Sequence, residues 1–202
     1  MMQMACILTF VPVVRVLRGA SLGKMLTVIH RSPLSQYALV VVAGGICDVT
    51  TKNGPFVTCN WENSEQAVAY IHGRLLSIKH FVTTHGVKVM FVRIPSMSLV
   101  QYASSHRIPT AAHKFQQDMV ELVTFKVNEL ITAINAESFL STISWDSDLI
   151  KTSKKKRGKH GQNVKSFRKF HYNSMYDGCH PDEKLRKKWY ERLVGVVTKH
   201  MQ

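Results

Sequence analysis

Asp177 and His180 stand three residues apart in the stretch Tyr176-Asp177-Gly178-Cys179-His180-Pro181. A carboxylate beside an imidazole fixes its tautomer and orientation and raises its basicity. That arrangement serves a general base, and a base needs a nucleophile to deprotonate. The pair lies on a glycine-containing turn, and Pro181 suits the first turn of a following helix, where its missing N–H removes no bond. Leu185, Trp189 and Leu193 recur every fourth residue and give that helix one apolar face. The same residues also suit a plain turn leading into a helix, with no chemistry attached.

Positioning such a pair requires a scaffold, and the chain alternates two periodicities. Residues 13–17 are short and β-branched and read as a strand, followed by Leu22, Met25, Leu26 and Ile29 at helical spacing. Residues 37–45, YALVVVAGG, form a continuous apolar run ending in two glycines, the pattern of a strand buried on both faces of a parallel sheet. Ala67, Ile71, Leu75, Ile78 and Val82 make a helical stripe, with Asn63 and Gln66 at a capping-box spacing and Gly86 at the C-cap. Residues 87–95 read as a second buried strand. Met119, Val123, Val127, Leu130 and Ile134 mark another helix. Residues 136–175 are less regular. Strands alternating with helices predict an α/β fold, a three-layer domain with a parallel sheet and helices on both faces. In such sheets the functional loops lie at the carboxyl ends of the strands, where AGGICD, RIPSMS and YDGCHP all fall.

These loops together resemble the SGNH (GDSL-type) hydrolases. In that family a flavodoxin-like sheet carries four sequence blocks. A Gly-Asp-Ser turn supplies the nucleophile, a glycine and an asparagine complete the oxyanion hole, and Asp-x-x-His supplies the base and its partner. The resemblance places Asp177 and His180 in the last block, Gly19 in the second, and Gly45 with Asp48 in the third. It covers the chain from about residue 13 to the end.

Two departures shape the expectation. The position of the third-block asparagine holds Cys47, and a thiol is a poor donor for an oxyanion. Removing one such donor typically costs about 10²–10³ in rate. No Gly-Asp-Ser precedes Gly19. The Gly19–Leu22 segment, GASL, imitates one and makes Ser21 a candidate nucleophile, but Ser21 equally suits a helix N-terminus. Gly19 and Gly45 bracket one strand–helix–strand unit, so the nucleophile turn belongs a unit earlier. The resemblance therefore implies a copy lacking the family's first strand and its nucleophile. Ester hydrolysis is expected to be absent, with an active serine esterase as the alternative and a remnant of a larger or mobile-element-derived protein as a third. Cys47 reads either as a small buried residue or as a replacement nucleophile. No cofactor or metal is implied.

At 202 residues, with 45% hydrophobic content, the chain can bury one substantial core, and residues 1–202 read as one domain. No apolar run reaches the roughly 20 residues a membrane span requires. Residues 4–14 are apolar but lack the basic flank of a signal peptide, and the four cysteines form no zinc or C-x-x-C pattern. Both points suggest an intracellular location, cytoplasmic or nuclear. The formal charge of +14 is the strongest compositional signal and favours anionic partners, nucleic acid first. A basic insertion at about 151–172 concentrates it. Lys154, Lys155, Lys156, Arg157, Lys159, Lys165, Arg168 and Lys169 are the candidate contacts to RNA or other nucleic acid. Phe167, Phe170 and Tyr172 interleave the charges and suit stacking on unpaired bases. A solvated loop or a nuclear signal (KKKR) would give the same composition.

Overall fold

The computed structural model describes residues 13, 17, 19–54, 56–110, 113–153 and 167–201, with nothing stated of the side chains at 114, 115, 151–153 and 167–169. Strand β1 (Leu39–Ala43) pairs in parallel with β4 (Lys88–Val92), in the register Leu39 opposite Lys88 through Ala43 opposite Val92. Side chains of a strand alternate between faces, and here they divide the interior cleanly. Val40, Val42, Val89 and Phe91 enter a core shared with helices α1 (Leu22–His30), α3 (Ser64–Thr84) and α5 (His113–Glu137). Leu39, Val41, Met90 and Val92 enter a second core with Leu185 and Trp189 of α6 (Glu183–Met201). Helices thus cover both faces of a parallel sheet, as the alternation predicts.

Local signals account for the long helices. Asn63 accepts hydrogen bonds from the N–H groups of Glu65 (2.8 Å) and Gln66 (3.1 Å) to start α3, and Gly86 adopts φ 75° just past its end. The α3 stripe Ala67, Ile71, Leu75, Ile78 and Val82 is buried as read. On α5 the buried stripe is Val120, Val123, Val127, Ile131 and Ile134, so Met119 and Leu130 are only half-buried. Val123, Val127 and Ile134 match the expected stripe, and Val120 and Ile131 take the places of Met119 and Leu130, while the same helix also buries Asn128 and Asn135. β4 is buried from Val89 to Val92, whereas Leu39, Val40 and Val41 of β1 are half-buried. Among the described residues β4 is the only strand paired with β1. The proposed strand at 13–17 falls largely outside the described residues.

The edge of β4 away from β1 is satisfied by side chains. Asn135 accepts from the Phe91 N–H (2.9 Å) and donates to the Phe91 carbonyl (2.7 Å). Asn128 does the same for Ile94, at 2.7 and 2.9 Å. Between them the Arg93 N–H donates to the Ile143 carbonyl (3.0 Å). Two helical turns span about 10.5 Å, and three extended residues about 10 Å, so the two asparagines match the two peptides they serve.

Six elements, two of them short helices and four of them strands, lie outside the sequence reading. Strands β2 (Thr50–Asn53) and β3 (Phe56–Cys59) form an antiparallel hairpin. A short helix α4 (Leu99–Ser105) follows the loop after β4, and a four-residue helix α2 (Ile46–Val49) follows Gly45. Within the stretch read as irregular, β5 (Ile150–Ser153) pairs antiparallel with β6 (Phe167–Phe170).

Candidate functional site

Asp177 and His180 are brought together. The His180 Nδ1 lies 2.8 Å from Asp177 Oδ2 and 3.1 Å from Oδ1. The aspartate is buried and the imidazole 73% exposed. Asp177 Oδ1 also accepts the backbone N–H groups of Cys179 (3.0 Å) and His180 (2.9 Å). Burial pushes the Asp177 carboxyl up, but the hydrogen bonds from the His180 ring and from these N–H groups outweigh it and hold the group below the ordinary range. An ionised carboxylate only accepts, so the Nδ1 facing it carries a proton and Nε2 is the nitrogen left to act as a base. This is the arrangement of a general base, and equally of a turn organised by an aspartate cap.

The loop is fixed from below. Gly178 adopts φ 84°, and its carbonyl accepts the Ser98 N–H at 2.8 Å. A Cβ at this position would lie 2.7 Å from the Ser98 carbonyl and 2.8 Å from the Gln101 Cβ, so only glycine fits both the backbone and the space. Gln101 donates to the carbonyls of Tyr172 and Met175, both at 3.3 Å. Since Ser98 begins α4 just beyond the carboxyl end of β4, the pair stands at the expected sheet edge. One correction concerns Pro181. Helix α6 begins at Glu183, and Asp182 caps it by accepting the Leu185 N–H at 2.7 Å, so Pro181 precedes the cap and is not in the first turn.

The residues of the second and third blocks form another group at the same edge. Gly19 (φ 61°) is exposed, and Gly45 (φ 105°) is buried where a Cβ would sit 2.8 Å from Ile94 Cδ1. Ser21 is the N-cap of α1, its Oγ accepting the Lys24 N–H at 3.3 Å. Asp48 ties the two blocks together by accepting the Leu22 N–H at 2.8 Å. Burial raises the Asp48 carboxyl, against the opposing pull of this hydrogen bond and of Arg74. The Cys47 thiol is half-buried and is raised first by burial and then by the Asp48 charge, so it does not become a thiolate readily. Among the described residues no hydrogen bond joins His180 to Ser21 or to Cys47, and no group of three or more His, Cys, Asp or Glu side chains could hold a metal ion.

Lys154, Lys155, Lys156, Arg157, Lys159 and Lys165 lie outside the described residues. Arg168 and Lys169 belong to β6, opposite Thr152 and Lys151. The stem of this hairpin starts two residues after Asp148, which the sequence reading did not single out. Asp148 binds Arg192 (2.7 Å), Lys188 (2.6 Å) and the Trp189 indole N–H (3.1 Å). Lys184, Arg186 and Lys187 on α6 are exposed nearby in sequence.

No protein-family profile and no curated protein matches the chain. Solved structures do. A Bacteroides fragilis protein proposed to be an acylhydrolase aligns over 91% of this chain and 73% of its own, at TM-score 0.58 and 13% identity. A GDSL-like lipase from Bacteroides thetaiotaomicron aligns over 90% of this chain and 71% of its own, at TM-score 0.52 and 13% identity. The chain therefore has an α/β SGNH (GDSL-type) hydrolase-like fold. Among the described residues no helix is long and apolar enough to cross a membrane.

Proposed function

We propose that this protein is an SGNH hydrolase-like domain that binds RNA or other nucleic acid through a basic face and does not hydrolyse esters at a meaningful rate. The observation that carries this reading is the use made of Ser21. Its hydroxyl accepts a hydrogen bond at the start of α1, and His180 makes its side-chain contacts with Asp177 alone among the described residues. A base without a nucleophile in reach has nothing to deprotonate. The preserved Asp177–His180 geometry favours the second reading, an active acyl hydrolase. A short-chain nitrophenyl ester assay separates the two. We expect turnover at background. Turnover well above it that disappears in both His180→Ala and Ser21→Ala would establish the enzyme and make Ser21 the nucleophile.

The nucleic-acid half of the reading rests on concentration of charge. Nine of the 27 Lys and Arg residues fall between 151 and 169, and of these Lys151, Arg168 and Lys169 lie on the paired strands β5 and β6, of which β5 begins two residues after the aspartate holding α6. Neutralising phosphates releases counterions, so affinity for a single strand should fall by about 0.7 log units per contact for each log unit of salt. Lysine contacts position a backbone and do not read bases. Changing Lys154, Lys155, Lys156 and Arg157 together to Ala should weaken binding to all sequences alike and flatten the salt slope. An unchanged affinity and slope in a fluorescence-anisotropy titration would make the segment a solvated loop.

A further inference from the structure

A cleft of about 210 Å³ lies apart from the Asp177–His180 turn. Arg93, Ser96, Thr124 and Asp146 contribute polar groups to its lining, and Phe125 and Phe170 contribute apolar ones. Neither Asp177 nor His180 lines it. Four buried side-chain atoms among the described residues lack a hydrogen-bond partner: Arg93 Nε, Thr124 Oγ1, Gln116 Oε1 and the Tyr172 hydroxyl. Arg93 and Thr124 line the cleft. Gln116 lies eight residues before Thr124 and so on the same α5 face. The Tyr172 phenol is raised first by burial and then by the charges of Glu121 and Asp146, both cleft residues. Native interiors leave few such atoms unpaired, and two of these four belong to residues lining one opening. Thr124 itself is 5% exposed.

The charges there are also incomplete. Among the described residues the only ion-pair contact of Arg93 is with Glu129, at 4.0 Å through Nη2. Asp146 uses Oδ1 to accept the Ser96 N–H at 3.1 Å. Opposite charges share one small cleft without meeting. A guanidinium with a free Nε offers the fork that a carboxylate takes bidentately. The Asp146 carboxylate in the same lining can accept from an ammonium. Phe125, 60% exposed, and Phe170 bound a space for an apolar side chain.

We infer that this cleft binds a small zwitterion of the size of a free apolar α-amino acid, its carboxylate on Arg93 and Thr124, its ammonium on Asp146, and its side chain against Phe125 and Phe170. The inference is independent of the nucleic-acid reading.

Calorimetric titration and thermal melts of the full chain with leucine, leucinamide, N-acetylleucine and glucose test it. Leucine should bind saturably and raise the melting temperature. Leucinamide lacks the carboxylate and N-acetylleucine the ammonium, so both should bind at least about tenfold more weakly, as should leucine to Arg93→Met. Thr124→Val, which removes only the hydroxyl, gives a second reading in case Arg93→Met fails to fold. It should weaken leucine binding several-fold. The inference is overturned if leucine gives no saturable signal at millimolar concentration, if glucose binds in its place, if leucinamide and N-acetylleucine bind as well as leucine, or if Thr124→Val binds leucine as the parent does.

Discussion

Replacing Asn135 by Leu should cost this fold about 4 kcal/mol, because the substitution strands both backbone groups of Phe91. Asn135 is fully buried, and its amide supplies both a donor and an acceptor to the edge of β4. Leucine has nearly the same size and a better helix propensity, so a packing argument alone predicts a neutral or stabilising change. The hydrogen-bond argument predicts the opposite. An unsatisfied buried N–H or C=O costs about 1–3 kcal/mol, and two are exposed to that penalty at once. Each 1 kcal/mol moves the midpoint of a chain of this size by about 2–4 °C, so a fall on the order of 10 °C is expected. Asn128→Leu tests the same logic at Ile94. Urea melts with an unchanged denaturant slope would show that the loss is in the folded state. A loss below about 1 kcal/mol in both variants would mean that water or neighbouring chain replaces the amides.

That edge also shows where sequence reasoning reached and where it stopped. The strands at 39–43 and 88–92, the α3 stripe and the Asp177–His180 turn carry their own signals: continuous apolar runs, a strict helical period, and a glycine between a carboxylate and an imidazole. Asn128 and Asn135 look like polar residues on a helix surface until the free edge of β4 is known, because the signal is a seven-residue spacing that gains meaning only from a strand elsewhere. The β2–β3 hairpin was legible. Asn53 pairs with Phe56, and the Gly54-Pro55 dipeptide between two Thr-containing runs is the turn signal. The role of Ser21 is legible in the sequence only as a pair of alternatives, and the bond that Asp48 makes is not legible there at all. A serine before a helix suits a cap or a nucleophile equally, and the Leu22 N–H that Asp48 accepts is distant in sequence. Gly178 could be recognised as a turn residue, but the reason it must be glycine, the Ser98 carbonyl beneath it, is a tertiary fact.

The docking of α6 should be acid-sensitive, and Asp148 should be the reason. Its carboxylate is buried and holds three groups of one helix, the Arg192 guanidinium, the Lys188 ammonium and the Trp189 indole. Burial raises this carboxyl, but hydrogen bonds from Arg192 and Lys188, and then their charges, outweigh it, so the folded-state value lies below the ordinary one. A carboxyl depressed on folding stabilises the protein fully above its unfolded value of about 3.9, and that contribution is lost as pH falls through the lower folded value. Lys188 is 61% exposed and contributes little. Arg192, at 28%, also donates to the Ser144 carbonyl at 2.9 Å and is the stronger partner. Asp148→Ala leaves a partly buried guanidinium and an indole N–H without their acceptor, at a cost of about 3–4 kcal/mol near neutral pH. Trp189 stacks on Trp145 with ring centroids 4.9 Å apart, so tryptophan fluorescence reports whether α6 is seated. The difference in urea midpoint between the parent and Asp148→Ala should be large at pH 7 and shrink as the pH falls below about 3.9 toward the lower folded-state value. Asp177 is depressed in the same direction, so Asp177→Asn serves as the control. In that background the gap caused by Asp148→Ala should keep its size and its pH dependence. A gap that stays constant from pH 7 to pH 2 would show that α6 is held by the stacked tryptophans and the apolar face of Leu185, with the carboxylate a bystander.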